Sequence, residues 1–171
     1  ISAVAALPPL LAHYTIHTVL TDGQTTNHPA YAALSGALAQ AQAQTQTQLI
    51  AVTAGYRLQT SDGVTLQFVN PQQAPDPLTK LDDGALTVRL SYHDVSFLLT
   101  ADLSDSAEQA MIKDGWYIGA SVLQLSTHAS DAANSDAFLR AVAPQIAVIE
   151  AEAGSRTNKP SDAVLKRIGA I

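Results

Sequence analysis

The alternation of apolar and polar residues from residue 85 to residue 125 predicts the centre of a β-sheet. Residues 86–92 (LTVRLSY) alternate as a strand with one buried face does. Residues 95–100 (VSFLLT) follow after a two-residue turn and are apolar enough for a central strand. Residues 105–113, with acidic side chains in the first turn, then predict a helix, and residues 121–125 predict a further strand.

The rest of the chain predicts shorter elements around this centre. Helices are predicted at residues 8–13, 28–42, 131–142 and 161–171, and strands at residues 16–20, 49–52, 56–59, 64–69 and 145–150. Asp62-Gly63 predicts a hairpin turn, residues 70–83 with their prolines predict a surface loop, and residues 151–160 predict a polar loop. The Ala/Gln/Thr run at residues 40–48 indicates a solvated helix end and a linker. The pattern predicts one mixed α/β sandwich domain over residues 1–171.

Composition narrows the class of protein. With 171 residues, 47% of them hydrophobic and 14% charged, the chain is globular and long enough for a sizeable core. No apolar run is long enough to span a bilayer, and the first residues lack the pattern of a signal peptide. Because the chain begins at Ile1 and not at Met, we expect that an upstream part was removed or not included.

Cysteine content and charge limit the possible chemistry. The absence of cysteine excludes disulfides, thiolate metal sites and cysteine nucleophiles. The net charge is −6, with nine basic residues against fifteen acidic ones, and no basic stripe is present. A dedicated binder of the nucleic-acid backbone normally carries such a stripe, so any nucleic-acid contact is expected to be local.

Two residues are the best candidates for chemistry. Asp102 and His128 follow two neighbouring predicted strands, at the sheet edge where α/β proteins gather ligand-binding groups. A catalytic divalent metal needs several histidine and carboxylate ligands on one face, and the sequence offers no third ligand here. The alternative interpretation makes Asp102 a helix-capping or turn acid and His128 a loop histidine with satisfied hydrogen bonds.

Five segments resemble a known family in the family's own order. Residues 88–102 (VRLSYHDVSFLLTAD) resemble the "VLRL.YGD.SFLLTGD" segment of the metallo-β-lactamase-like domain of ComEC competence proteins. Residues 122–130 (VLQLSTHAS) are similar to that domain's "VLKVPHHGS", and residues 138–149 to "FLEAVSPKVAVIS". Residues 54–64 are similar to "AGDRL…DGV", and residues 156–168 to "RYGHP…VLERL".

The resemblance implies a fold, a place and an activity. It implies a metallo-β-lactamase-like αββα four-layer sandwich whose metals lie at one edge of the two sheets. ComEC is the bacterial membrane channel for DNA uptake in natural transformation, so the domain is expected at the extracytoplasmic face. An intact member would use metal ions, Zn²⁺ or Mn²⁺, to activate water for attack on a phosphodiester.

The two central motifs depart from the family pattern. In the glycine-aspartate motif the glycine is replaced by Ala101, whereas the carboxylate of Asp102 is kept. In the "HHGS" motif the first histidine is replaced by Thr127 and the glycine by Ala129, so that only His128 remains. Asp102 and His128 are therefore interpreted as vestigial metal ligands.

Two other motif positions also depart, and a further motif is missing. The histidine of "YGHP" is replaced by Lys159, and the serine before the "VLRL" strand by Ala85. The family's first metal motif, HxHxDH, would lie before Ile1. The strands of the first sheet are then expected to be missing as well, with residues 16–20 and the hairpin at Asp62-Gly63 as their remnants.

Three functions follow as hypotheses. The first is a degenerate, non-catalytic domain that supports a DNA-uptake channel or binds DNA or a partner. The second is a metal-dependent nuclease that acts on incoming DNA, and the third is a stand-alone interaction or assembly module. No cofactor is expected unless the site is active, in which case it would hold Zn²⁺ or Mn²⁺. Because a sheet face would be left uncovered, we also expect self-association, or docking on the missing upstream half, through the strand edge at residues 16–20 or 49–52.

Overall fold

The computed structural model describes residues 4–76, 80–151 and 159–170. The chain forms two compact units, Ile1–Val52 and Thr53–Ile171. Within the described residues, no helix is both long enough and apolar enough to cross a membrane.

The first unit contains two helices and a two-stranded parallel sheet. Its elements are α1 (Leu7–His13), β1 (Thr18–Thr21), α2 (Pro29–Thr45) and β2 (Gln48–Ala51). β1 and β2 pair in parallel, with Thr18 opposite Gln48. His28 caps α2, since its Nδ1 accepts a hydrogen bond from the amide of Ala30 at 3.2 Å. The predicted helices and strands of this unit are confirmed, but α2 continues to Thr45 through most of the predicted linker.

The second unit is built on a six-stranded mixed sheet. Its strands are β3 (Arg57–Gln59), β4 (Thr65–Asn70), β5 (Thr87–Tyr92), β6 (Val95–Leu99), β7 (Val122–Gln124) and β8 (Ile146–Val148). They lie in chain order across the sheet, antiparallel from β3 to β6 and parallel from β6 to β8. The predicted hairpin is confirmed. Its interpretation as a remnant of a separate first sheet is wrong, because β4 pairs with β5 within the larger sheet.

In the described part of this unit, three α-helices accompany the strands: α3 (Asp105–Lys113), α4 (Asp136–Val142) and α5 (Asp162–Ile168). Each begins after a serine whose hydroxyl accepts a backbone N–H of the first turn. The limits predicted for α3 are confirmed. The prediction for α4 was too long by five residues, because Asn134 adopts a left-handed conformation (φ 62°) that no helix accommodates.

The predicted surface loop at residues 70–83 is partly wrong. Asn70 ends β4, and its buried side chain donates hydrogen bonds of 2.9 Å to the carbonyls of Asp83 and Ala85. Leu81–Gly84 forms a turn of 3₁₀ helix. Asn70 therefore ties the end of this segment to the start of β5. Residues 77–79 of the predicted loop lie outside the described residues, as do residues 152–158 of the predicted loop at 151–160 and Ile171 at the chain end.

The core of the second unit lies between one face of the sheet and its helices. Its largest fully buried side chains come from both layers: Leu98, Leu103, Met111, Leu123, Phe138, Leu139 and Val164. The mixed α/β class is thus confirmed, with a sheet of six strands and a sheet of two. The four-layer αββα arrangement stays a prediction.

Candidate functional site

The candidate site lies where the three parallel strands end. Ala101 and Asp102 follow β6, residues 126–130 follow β7, and Glu150 follows β8. Because β6, β7 and β8 run in parallel, their carboxyl ends lie at the same edge of the sheet. Ala85 precedes β5, which is antiparallel to β6, so that this position also belongs to the edge.

Hydrogen bonds join the loops at this edge. The amide of Thr127 donates to the carbonyl of Ala101 at 3.2 Å, and the hydroxyl of Ser126 donates to the carbonyl of Leu103 at 3.0 Å. The amide of Ser161 donates to the carbonyl of Ala129 at 3.0 Å, which brings the segment that begins at Lys159 against the loop of His128. The loops that carry the predicted site residues are therefore neighbours. Residues 156–158 of the same motif lie outside the described residues.

His128 is exposed, and one of its ring nitrogens is already engaged. Nδ1 lies 2.7 Å from the carbonyl oxygen of Glu150. A carbonyl oxygen only accepts, so Nδ1 carries the proton, and in the neutral ring the lone pair is on Nε2. Many metal-binding histidines are oriented in this way. The ring of His128 is therefore oriented by Nδ1 and presents the lone pair of Nε2, as a metal-binding histidine does.

Asp102 is exposed and does not cap α3. The cap is Ser104, whose hydroxyl accepts the amide of Ala107 at 3.2 Å. Of the two structural alternatives for Asp102, the helix cap is therefore wrong, whereas the turn is confirmed, since Ala101 and Asp102 form a turn after β6. No described hydrogen bond or ion pair fixes its carboxylate, which is open to solvent.

The backbone at the altered motif positions is strained. Ala101 has φ 51°, and three consecutive residues, Thr127, His128 and Ala129, have φ values of 49°, 58° and 57°. Glycine adopts this left-handed conformation without steric cost, whereas other residues lose about 1–2 kcal/mol. Both positions that the resemblance assigns to glycine, Ala101 and Ala129, thus have the backbone geometry of glycine while carrying a methyl group.

Thr127, which stands at the position of the missing histidine, is destabilising for a second reason, its buried hydroxyl group. Its hydroxyl oxygen is buried and has no hydrogen-bond partner among the residues that the structure describes. A β-branched residue is also an outlier at positive φ. Thr127 lines an open groove of about 590 Å³ whose other walls are the turn Leu81–Gly84 and the start of α3.

Asp83, an acidic residue in the wall of this groove, is already engaged in hydrogen bonds. Asp83 accepts hydrogen bonds from the hydroxyls of Ser104 and Ser106. Burial alone would raise the pKa of the Asp83 carboxyl, but these two hydrogen bonds and the charge of Lys80 outweigh it and hold the pKa below its ordinary value. Asp83 is therefore ionised at neutral pH and engaged with the two serines.

A buried polar network, which the sequence did not indicate, holds the histidine loop. The carboxylate of Glu108 accepts the amides of Asn134 at 2.6 Å and Ser135 at 3.0 Å. The side chain of Asn134 accepts the amide of Ser126 at 2.9 Å and donates to the carbonyls of Ser126 and Ser130 at 3.1 and 3.2 Å. Burial raises the pKa of the Glu108 carboxyl against the opposing effect of the two amide hydrogen bonds. The signals in the sequence were an acid on the buried face of α3 and an asparagine before α4.

The described residues do not fit a catalytic metal. No group of three or more histidine, cysteine, aspartate or glutamate side chains is arranged to hold an ion in residues 4–76, 80–151 and 159–170. Asp102 and His128 supply two donors, whereas hydrolytic Zn²⁺ and Mn²⁺ sites use three or more protein ligands.

Comparison with known proteins gives two curated relatives, and no protein-family model matches the chain. Competence protein ComA of Neisseria gonorrhoeae is 30% identical over 112 residues, which are 64% of this chain and 16% of that protein. ComE operon protein 3 of Bacillus subtilis (strain 168) is 32% identical over 116 residues, which are 67% of this chain and 14% of that protein. The chain thus spans about one seventh of the length of these relatives. The predicted resemblance is confirmed as similarity to competence proteins, and the metallo-β-lactamase-like assignment stays a prediction.

Proposed function

We propose that this chain is a non-catalytic domain of a competence-type DNA-uptake protein, with a decayed metallo-β-lactamase-like site, and that it supports the uptake channel at the extracytoplasmic face. The observation that carries the proposal is the edge formed by Ala101, Asp102, Thr127 and His128. The backbone has positive φ at the motif positions that the resemblance assigns to a metal site, and the described donors are too few for an ion, which supports a decayed site. Similarity to two competence proteins supports the link to DNA uptake.

Charge supports the absence of catalysis. Lys159 stands where the resemblance places a histidine ligand, on a segment bonded to the loop of His128 through Ser161 and Ala129. The ammonium group of lysine repels a nearby cation, whereas the neutral imidazole of histidine binds one. A metal ion at this edge would therefore meet a positive charge in place of a third ligand.

Charge also supports a protein-supporting role over direct binding of DNA. The chain carries a net charge of −6. DNA-binding surfaces depend on clustered lysine and arginine side chains that release counterions from the phosphates. We therefore assign the contribution of this domain to contacts with the rest of the uptake machinery.

The test is transformation of the host bacterium. We expect that in-frame deletion of the domain abolishes DNA uptake, whereas the double substitution Asp102→Ala with His128→Ala changes transformation frequency by less than about twofold. A loss of about tenfold or more with the double substitution would instead indicate a transition-state role and a metal nuclease. Unchanged uptake after deletion would contradict any role in DNA uptake and favour the stand-alone module. Immunoblotting controls for the amount of protein.

A further inference from the structure

The helix side of the six-stranded sheet is apolar under the helices and polar beyond them. On this side, Leu123 of β7 and Leu98 of β6 are paired and belong to the core. Arg89 of β5 is paired with Leu98. Gln67 of β4 is paired with Arg89, and Arg57 of β3 is paired with Gln67. Directly paired residues project from the same face of a sheet, so Arg57, Gln67 and Arg89 form one row, which is called the arginine row below.

The arginine row is accessible, and its two cations lack ion pairs within the described residues. Arg57 is exposed, and Gln67 and Arg89 are half-buried. Strands β3 to β6 contain no aspartate or glutamate, and neither arginine makes an ion pair with a described residue. The chain has fifteen acidic residues against nine basic ones, so a shortage of carboxylates does not explain this. A second sheet, as in the αββα arrangement, would pack on the opposite face and leave the row accessible.

Arg89 is held in place before any partner binds. Its Nε donates a hydrogen bond of 2.7 Å to the carbonyl of Gly119, and its guanidinium carbon lies 4.8 Å from the centre of the Tyr117 ring. A Cβ at Gly119 would lie 3.2 Å from the Tyr117 ring, so the missing side chain lets the ring pack on the backbone. The two terminal nitrogens of Arg89 donate no hydrogen bond to a described residue. A fixed guanidinium loses less conformational entropy when it binds a carboxylate.

We propose that the arginine row binds an acidic segment of a partner polypeptide, whose carboxylates pair with Arg57 and Arg89. Strands β3 and β5 are separated by one strand, so the Cα atoms of the two arginines lie about 10 Å apart. Arg89 leans towards Gly119, which precedes β7, and therefore away from Arg57. This spacing favours a ligand with two anionic groups over a single small anion. Acidic residues about three positions apart in an extended chain span about 10 Å.

Charge favours a short acidic segment over DNA. Asp62 and Asp94 lie in the two hairpin turns at one end of strands β3 to β6. A nucleic-acid strand carries a phosphate at every nucleotide, so it would extend past the arginine row towards these acids. An acidic segment can end where the row ends. For the class of partner, the inference rests on the contacts with the uptake machinery proposed above, and arginine and tyrosine side chains often dominate the binding energy of protein interfaces.

The test is an NMR titration of the ¹⁵N-labelled chain at about 50 mM salt, where ion pairs are weakly screened. The probe is the peptide (Glu-Gly)₄, and the neutral control peptide is (Gln-Gly)₄. We expect the Nε signals of both arginines and the amide of Tyr117 to shift, with a dissociation constant for the acidic peptide about tenfold lower or more. We expect Arg57→Gln and Arg89→Gln each to weaken binding by about three- to tenfold.

The matched control variant is Lys166→Gln, which removes the same charge from an exposed position on α5 and should change the dissociation constant by less than about twofold. Circular dichroism shows whether each variant is folded. If Arg89→Gln unfolds, Arg57→Gln still tests the row, because Arg57 is exposed and makes no described side-chain contact.

Three results would overturn the proposal. The first is an acidic peptide that binds no more tightly than the neutral one, and the second is an equal affinity of Arg57→Gln and Lys166→Gln. The third is an oligothymidylate of about twelve nucleotides that shifts the same arginine signals at a lower concentration than the acidic peptide, which would assign the row to nucleic acid. Because binding is measured on the purified chain, the first two results would leave the outcome of the transformation experiment unaffected.

Discussion

The substitution Asn134→Ala tests whether the buried network maintains the histidine loop. It removes three side-chain hydrogen bonds, two with Ser126 and one with Ser130. Each contributes about 1 kcal/mol net, and the amide of Ser126 is left buried without an acceptor, which costs about 1–3 kcal/mol. Alanine at φ 62° adds about 1 kcal/mol of strain. Because these contributions overlap, we expect a total loss of about 3–5 kcal/mol, a large part of the 5–15 kcal/mol that is typical of a domain.

The assay is urea denaturation followed by circular dichroism, with amide hydrogen exchange at Ser126 as a local readout. Asn134→Gly is the matched control, since it loses the same hydrogen bonds but accepts the left-handed backbone. We expect it to be about 1 kcal/mol more stable than Asn134→Ala. A loss below about 1 kcal/mol in Asn134→Ala, with protection at Ser126 unchanged, would refute the reasoning.

Three further predictions concern the same edge. Thr127→Gly is expected to stabilise the chain by about 1–2 kcal/mol, because it removes both the strain of the positive φ and the buried hydroxyl that has no described partner. Thermal unfolding measures this change. The control is Ala143→Gly, where φ is 47° but no hydroxyl is buried, so its gain in stability should be smaller. The pKa of Glu108 is raised in the folded state, so the native chain binds more protons than the unfolded chain between its ordinary value of 4.5 and the folded value. The stability that Glu108 contributes therefore falls as the pH rises above 4.5. The unfolding free energy of the wild type should fall relative to that of Glu108→Gln over the same rise in pH, and a relative increase would contradict this. The purified chain is expected to bind neither Zn²⁺ nor Mn²⁺ tightly and to leave DNA uncut, because Asp102 and His128 supply two ligands where a catalytic site needs at least three. The contrary result would be stoichiometric metal in elemental analysis together with a nuclease activity that Asp102→Ala abolishes.

Local signals in the sequence were sufficient for most of the fold. The acidic first turn of residues 105–113 predicted α3 with its correct limits, and Asp62-Gly63 predicted the hairpin of β3 and β4. Such elements are encoded by residues a few positions apart, through capping, turn chemistry and periodicity. The alternation in residues 86–92 even indicated which side chains share a face, although it could not indicate what lies against that face.

The errors arose where distant residues decide the local structure. Asn70 bonds to the carbonyls of Asp83 and Ala85, and this contact makes the predicted loop a tethered segment. The true start of α4 depends on Asn134, which is held by Glu108 from 26 positions upstream. At the candidate site, the sequence indicated which positions meet at one edge. It could not indicate that Thr127 would adopt the left-handed conformation with a buried hydroxyl, since that depends on the whole edge.

The change of strand direction at β6 has a consequence for the order of assembly. β3 to β6 form a meander of local antiparallel pairs, whereas β7 and β8 are each added through a crossover that contains a helix. Local pairs close short loops and form early, and parallel pairs close long ones and form late. We therefore expect the meander to be structured first as the chain leaves the ribosome, while the edge with Asp102 and His128 does not yet exist. The candidate site would then be the last part of the second unit to form, after β8 and α5 have been synthesised.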